Sequence, residues 1–456
     1  MTSDVRSHRG IRFATAARFE PPVLVPFDPE AGVVGASGPV CPQVPGMLER
    51  LLGIETSSMD EDCLFLDVFA PADAQQGADL PVLVWIHGGA YLNGAGSIAW
   101  YEGSRLAARG AVVVTINYRL GALGFIGGGN WGTLDQICAL EWVQRHIGAF
   151  GGDAGNVTIF GESAGGSAVL SLLAAPAAAG LFHRVWAMSP SINQLRTLER
   201  ADEWAAAFFA AAGVAGLDEA RSLPIDSLLA AQAEVMAMPN TGYDMFSPAA
   251  GGAGLHDDIL AAAAANPVPV SIGTNRDESL LFLAFDQTLA SAGDDRWIEH
   301  LEQQFGEQAD NARAVYEAAR PGASTVARIA AVQTDSTFRR PAQRLAEARA
   351  AAGSPTWMYW FTWASPAFGG MLGSAHALDI PFAFDNVHAP GAEMLLGDGA
   401  ELPVLAARFA DEITTFAATG EARWPRFDSE QRATLRFDAE FELLHDPEPE
   451  LRRLHP

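Results

Sequence analysis

Lysine is absent from the 456-residue sequence, so arginine and protonated histidine supply all of its cationic side chains. A chain without lysine cannot form a Schiff base through a side-chain amine, and it cannot use a serine–lysine pair for acyl transfer. The 29 basic residues face 55 acidic ones, which gives a formal net charge of −26. Because so acidic a surface repels phosphate groups, we expect neither nucleic acid nor a membrane surface as a partner.

Cysteine and long apolar runs are also scarce. The three cysteines, Cys41, Cys63 and Cys138, are too few for a disulfide framework in a chain of this length. No His/Cys cluster has the spacing of a zinc site, so we expect no metal and no organic cofactor. No apolar run reaches the roughly 18 residues that cross a bilayer. The N-terminal residues carry charges but no apolar signal core, so we expect a cytoplasmic bacterial protein rather than a secreted one.

The residues that are present have the composition of a globular protein, with 49% hydrophobic and 18% charged residues. Apolar, β-branched runs of strand length alternate with longer segments of helical periodicity. The strands are predicted at 80–86, 111–116, 157–160, 268–272 and 357–363. The helices are predicted at 133–150, with Thr133 and Gln136 at capping-box spacing, at 165–175 and at 402–418, the last ended by Gly420.

This alternation predicts an α/β fold in which helices cover both faces of a central, mostly parallel, twisted sheet. The Ala-rich segment 195–265 is expected to form helices over the C-terminal edge of the sheet. No repeat and no linker interrupts the pattern, so residues 1–456 are predicted to form a single domain.

The sharpest local signal is the sequence Gly161-Glu162-Ser163-Ala164-Gly165, which fits the G-x-S-x-G motif. It follows the predicted strand VTIF and precedes a helical pattern, as a nucleophile turn requires. Such a turn exposes the serine hydroxyl, and the helix N-terminus favours developing negative charge. The motif therefore predicts Ser163 as a nucleophile.

A serine hydroxyl needs a base, and only histidine remains for that role. In α/β-hydrolases the nucleophile is followed by the acid and then by the histidine. His376 lies in a loop after the strand WMYWFTW, at the sheet edge where ligands bind in open α/β folds. His376 is therefore the preferred base and His388 the alternative. Imidazole's reference pKa predicts loss of activity below roughly pH 6 to 7.

The third group must be a carboxylate that orients the imidazole. Glu278 follows the strand VPVSI through the turn GTNRD and emerges at the same sheet edge. Spacing alone does not exclude the adjacent Asp277 as this carboxylate.

An oxyanion formed in the reaction needs preorganised N–H donors. The segment His87-Gly88-Gly89-Ala90 follows the strand LPVLVWI and is an HGGG-type turn. The predicted donors are the backbone amides of Gly89, Ala90 and Ala164, and His87 is expected to be structural.

With these motifs in place, the sequence resembles the carboxylesterase type B family over about residues 9–440. The stretches that carry the resemblance are EDCLFL at 61–66, WIHGGAY at 85–91, NYRLGALGF at 117–125, the segment 135–166, GTNRDE at 273–278 and AHALDIPF at 375–382. The resemblance implies an α/β-hydrolase fold with helical insertions, a triad of Ser163, Glu278 and His376, and Glu278 rather than Asp277 as the acid.

The resemblance also implies features around the triad. Ser189 and Asp379 match a supporting network, and Arg18 and Glu61 match a structural ion pair. Cys41 and Cys63 match a family disulfide that closes a loop over the active-site mouth, which is a possible short lid.

The expected reaction is hydrolysis of small-molecule carboxylic esters through an acyl-enzyme on Ser163, by a monomer or homodimer. The alternatives are a lipase, a carbamate or amide hydrolase, or a toxin-degrading esterase with the same triad. A non-catalytic scaffold protein on this fold is a further alternative, although such proteins have usually lost triad residues.

Overall fold

A ten-stranded, mostly parallel sheet organises the residues that this computed structural model describes, which are 5–27, 35–46, 58–238, 244–291 and 293–455. We number its strands β1 to β10 in chain order. They span Val5–Arg12, Phe65–Pro71, Leu80–Ile86, Val112–Ile116, Gly152–Glu162, Arg184–Met188, Val270–Asn275, Thr356–Phe361, Ala433–Phe437 and Glu442–His445.

The strand order across the sheet is β1-β2-β4-β3-β5-β6-β7-β8-β9-β10. The pairs β1–β2, β2–β4 and β9–β10 are antiparallel, and the six pairs between β4 and β9 are parallel. The sheet and its helices have the α/β-hydrolase fold that the sequence predicts.

Nine longer helices in the described ranges flank the sheet and form its insertions. We label them α1 to α9; they span Trp131–His146, Ala164–Leu173, Leu198–Ala212, Ile225–Met236, Asp294–Phe305, Ala309–Ala319, Thr325–Thr334, Arg340–Ala351 and Leu402–Thr419. Shorter α-helices span Ser104–Ala107, Gly121–Phe125, Leu217–Ala220, Ile259–Ala265, Leu280–Leu283, Gln287–Ala290, Ile380–Ala383, Ala392–Leu396 and Pro449–Leu454.

Alternation along the strands explains why the sheet is buried on both faces. In β3, Val82, Val84 and Ile86 belong to one hydrophobic cluster, while Leu83 and Trp85 belong to the cluster on the opposite face. Successive side chains of a strand point to opposite faces, so a continuous apolar run supplies both cores. The apolar run seen in the sequence is therefore the signature of a central strand.

The predicted elements all exist, and most of them have shifted boundaries. Strand β3 has the predicted bounds, whereas β5 begins five residues earlier than expected, at Gly152, and ends at Glu162. Helix α9 ends at Gly420, whose φ of 75° is the left-handed conformation expected there. The capping box is wrong: helix α1 begins at Trp131, so Thr133 lies inside it.

Four helices lie within residues 195–265 as expected, but residues 244–258 form turns and a two-residue strand that pairs with Arg196–Thr197, and residues 239–243 lie outside the described part of the chain. Ala122, in the short helix that follows β4, donates its backbone N–H to the side chain of Gln232 in α4. This contact ties the helical segment to the loop after β4, and therefore to the C-terminal edge of the parallel strands. None of the helices described is both long and apolar enough to span a bilayer.

Two features implied by the family resemblance can be located outside the triad. Arg18 forms a bidentate ion pair with Glu61, and its Nε lies 2.8 Å from the carboxylate. Cys41 and Cys63 are buried free thiols in this structure, and their mutual hydrogen bond, together with burial, raises the pKa of Cys63. Residues 47–57 of the intervening segment, the possible lid, lie outside the described residues.

Candidate active site

The residues singled out in the sequence follow the C-terminal ends of four parallel strands. Gly89 and Ala90 follow β3, Ser163 follows β5, Glu278 follows β7 and His376 follows β8. Parallel strands end at the same edge, so residues more than two hundred positions apart in the chain meet there.

Ser163 occupies a strained turn between β5 and α2. Its φ of 58° and ψ of −120° lie outside the regions that L-residues ordinarily adopt. The turn is held by hydrogen bonds from the Ser163 N–H to the Met188 carbonyl (3.0 Å) and from the Ser167 N–H to the Ser163 carbonyl (2.9 Å). Such strain persists only where the surroundings enforce it, and it leaves the Ser163 side chain partly accessible.

The glycines on either side of this turn are required by close packing. A Cβ on Gly165 would lie 2.0 Å from the Ile86 carbonyl oxygen, and one on Gly161 would lie 2.6 Å from the same atom. Strand β3 and the start of helix α2 approach each other at backbone distance, which only glycine permits. The motif therefore specifies the tight approach that presents Ser163.

His376 and Glu278 form a short, buried hydrogen bond. The distance from Nδ1 of His376 to Oε2 of Glu278 is 2.6 Å, and the two side chains are almost inaccessible to solvent. The other Glu278 oxygen accepts the backbone N–H of Asn275 at 2.7 Å. Because a carboxylate only accepts, we assign the proton of this hydrogen bond to Nδ1.

The second nitrogen of His376 faces a residue that the sequence did not single out. Nε2 lies 3.1 Å from Oε1 of Glu162, the residue directly before Ser163. Within the described residues the Ser163 hydroxyl makes no hydrogen bond, so in this structure the imidazole contacts Glu162 and does not engage the serine. Glu162 stands inside the G-x-S-x-G motif, but the motif leaves that position open.

The carboxyl groups around the imidazole strongly shift its titration. Burial lowers the pKa of His376, but the charges of Glu162 and Glu278 outweigh burial and raise it to about 9. Burial raises the pKa of Glu162 to about 8, and burial together with the charge of Glu278 raises that of Asp379 to about 7. The cluster therefore holds more protons at neutral pH than its isolated groups would, and the pH range expected from free imidazole moves upward.

The turn after β3 presents backbone amides. Gly89 and Ala90 have φ values of 105° and 54°, and both residues are half-buried. No described protein group accepts their N–H groups. Ala164 is the first residue of helix α2, so its N–H has no partner within that helix. Unoccupied amide donors of this kind suit an oxyanion.

Asp277 and His388, the alternative acid and the alternative base from the sequence, lie in other surroundings. Asp277 accepts hydrogen bonds from the Ser374 backbone N–H and from Arg276, both at 3.0 Å. His388 is exposed and lines a cavity of about 340 Å³ with Arg9. The structure brings neither residue to the His376–Glu278 pair.

His87, Asp379 and Ser189 are the remaining residues for which the sequence predicts a structural role. His87 is buried and stacked on Tyr118, and burial lowers its pKa to about 4, so it is a neutral structural residue. Of the pair expected to support the triad, Asp379 accepts a hydrogen bond from the Asn275 side chain at 3.3 Å. The Ser189 hydroxyl has no hydrogen-bond partner among the described residues.

Two aromatic rings pack against the buried imidazole. The ring centroids of Phe338 and Phe282 lie 4.7 and 5.4 Å from that of His376. Phe282 is partly exposed, as are Phe285 and Phe368, which contact each other at 5.3 Å. An apolar wall therefore runs from the imidazole to the surface.

The chemistry this arrangement offers is acyl transfer, since it combines a hydroxyl, an imidazole–carboxylate pair and free amide donors. Within the described residues, no group of three or more His, Cys, Asp or Glu side chains is placed to hold a metal ion.

Comparisons with known proteins agree with this chemistry. The model described as the carboxylesterase family matches residues 1–450. The para-nitrobenzyl esterase of Bacillus subtilis is 37% identical over 447 residues, covering 92% of this chain and 87% of its own. The phenmedipham hydrolase of Pseudarthrobacter oxydans is 32% identical, covering 89% and 86%. Among solved structures, a thermophilic para-nitrobenzyl esterase superposes with a TM-score of 0.85 at 34% identity, covering 100% of this chain and 96% of its own.

Proposed function

The chain belongs to the carboxylesterase family and is a serine carboxylesterase, and from that premise we propose that Ser163 is its nucleophile, His376 its general base and Glu278 the group that orients the base. One observation supports this proposal above the others. The 2.6 Å hydrogen bond between His376 and Glu278 lies beside the strained turn that carries Ser163.

The proposed reaction begins when Nε2 of His376 takes the proton of the Ser163 hydroxyl as its oxygen attacks the ester carbonyl. Glu278 keeps the other proton on Nδ1 and stabilises the imidazolium that forms. The imidazolium then protonates the leaving alcohol, and water repeats the sequence on the acyl-enzyme.

The oxyanion of each tetrahedral intermediate is proposed to bind the amides of Gly89, Ala90 and Ala164. Their N–H groups require no reorganisation during the reaction, because the backbone already holds them with no acceptor among the described residues.

The substrates are small-molecule esters, and we propose that apolar groups next to the scissile bond are preferred. The support is the wall of Phe282 and Phe338 against the imidazole. A lipase, a carbamate or amide hydrolase, or a toxin-degrading esterase with the same triad stays an alternative. We further propose that residues 1–456 form one domain, which is supported by the single sheet that runs from Val5 to His445. We propose that this domain acts as a monomer or homodimer, without a nucleic acid or membrane partner.

Replacing the nucleophile tests the assignment directly. We expect Ser163→Ala to lower the turnover of p-nitrophenyl acetate by several orders of magnitude while leaving the urea unfolding midpoint close to that of the wild type. The same variant should lose labelling by a fluorophosphonate probe. Near-normal turnover or labelling in the folded variant would refute the role of Ser163.

A rate profile over p-nitrophenyl esters of increasing acyl length separates esterase from lipase. Short-chain preference, without activation at a lipid–water interface, is the expected result. A parallel series of carbamates and amides with the same leaving group tests the alternative hydrolase.

A further inference from the structure

Glu162 lies between the imidazole of His376 and the turn that carries Gly89. It ends strand β5 and is buried with 3% of its surface exposed. One of its oxygens, Oε1, lies 3.1 Å from Nε2 of His376. The other, Oε2, lies 3.0 Å from where a Cβ on Gly88 would be, so the carboxyl group also packs under the turn that carries Gly89.

The contact with His376 requires a proton. The Nδ1 proton of His376 is already donated to Glu278, so Nε2 of a neutral imidazole presents a lone pair. An ionised carboxylate oxygen 3.1 Å from that nitrogen in a buried site is repelled by it, and because Oε1 of Glu162 makes no hydrogen bond, the interaction across this distance is electrostatic. A proton on either the imidazole or Glu162 turns the same contact into an attraction.

The charged surroundings favour keeping this proton. The groups that act on the Glu162–His376 pair are the carboxyls of Glu278 and Asp379, and Tyr359 also interacts with them. The aromatic neighbours of the imidazole carry no charge. Because the nearby ionisable groups are acids, a cation on His376 is stabilised and an additional anion on Glu162 is not.

We propose that Glu162 is a positioning residue that holds one proton against Nε2 of His376 in the free enzyme, so that the imidazole becomes available to Ser163 only when this proton is released to water. This inference rests on the proposed roles of Ser163 and His376. After release, Nε2 accepts the proton of the Ser163 hydroxyl while the new Ser–carbonyl bond forms. The imidazolium regenerated in that step again faces Glu162.

The proposal places the acid limb of the pH profile under the control of Glu162. Activity requires the unprotonated pair, so kcat/KM falls tenfold per pH unit below its apparent pKa. The wild-type limb should therefore lie well above the ordinary imidazole value of about 6.5. Removing the charge of Glu162 lowers the affinity of the imidazole for its proton and moves the limb to lower pH.

The test compares Glu162→Gln with the wild type by measuring kcat and KM for p-nitrophenyl acetate from about pH 5 to pH 10. The expected shift of the acid limb is at least about one pH unit downward, with a plateau in kcat/KM lowered about tenfold through kcat rather than KM. Glu412→Gln is the matched control, because Glu412 in helix α9 is a buried carboxylate that accepts a hydrogen bond from Arg423 instead of facing the imidazole. Its profile should equal that of the wild type.

An acid limb in Glu162→Gln within about 0.3 pH units of the wild type overturns the proposal. If this variant does not fold, the Nδ1 proton shared by His376 and Glu278 is followed by proton NMR in the wild type. The proposal requires a midpoint above about pH 8, and a midpoint near 6.5 overturns it. Neither result affects the role of Ser163, which is tested by Ser163→Ala.

Discussion

Replacing Glu278 by glutamine removes the charge from the buried acid while keeping its shape. In the wild type the two Glu278 oxygens accept two N–H donors, one from Nδ1 of His376 and one from the Asn275 backbone. A glutamine offers one oxygen and one NH₂ group. In either orientation of the amide, one of the two donors therefore faces another donor.

The size of the expected loss of kcat follows from these contacts. Loss of a charge-assisted hydrogen bond to the imidazolium costs about 1.5–3 kcal/mol, and the disfavoured tautomer of His376 adds to that loss. In triads of this kind, changing the carboxylate to an amide lowers kcat about 10⁴-fold. We expect Glu278→Gln to lower kcat by about 10³- to 10⁴-fold, which is about 4 to 5.5 kcal/mol at 1.36 kcal/mol per decade.

The assay is the hydrolysis of p-nitrophenyl acetate by protein whose folding has been checked by urea unfolding. The matched control is Asp277→Asn, because Asp277 is the adjacent carboxylate and pairs with Arg276 and Ser374 instead of the imidazole. We expect it to keep kcat within about tenfold of the wild type. A severe loss in Asp277→Asn together with a mild one in Glu278→Gln would refute the assignment of the acid.

Two predictions concern stability. Gly165→Ala places a Cβ 2.0 Å from the Ile86 carbonyl oxygen and should lower the free energy of unfolding by about 1–3 kcal/mol or more. In the control Gly148→Ala the new Cβ meets no atom within 4 Å, so the free energy of unfolding should change by less than about 1 kcal/mol. Equal urea midpoints for the two variants would contradict the close approach at Gly165. Arg18→Ala should lower the free energy of unfolding by about 2–3 kcal/mol and Glu61→Ala by about 1 kcal/mol. The difference is expected because Arg18 also donates to the backbone carbonyls of residues 220, 221 and 223. Esterase activity per folded molecule should stay unchanged in both, and a larger cost for Glu61→Ala would show that the ion pair dominates.

The boundaries of helix α1 show where sequence patterns stop being informative. Thr133 and Gln136 have the spacing of a capping box, yet the helix begins at Trp131 after Asn130 in the left-handed conformation. The Asn130 side chain does not cap the helix, because it exchanges two hydrogen bonds with the backbone of Ala249. A start set by a partner 119 positions away leaves no local signal.

The sequence by itself determined the fold class, five of the ten strands of the sheet, helices α1, α2 and α9, and the turn that carries Ser163. Periodicity, apolar runs and glycines at close backbone contacts act over a few residues, so they can be read without a partner. Only the tertiary structure decided which charges meet at the imidazole. Glu162, Glu278 and His376 come from three separate strand ends, and the contact at Nε2 exists because β5 and β8, which are separated in the sheet by β6 and β7, end at one edge. Distances across a sheet depend on the register of non-adjacent strands, and no local pattern encodes that register.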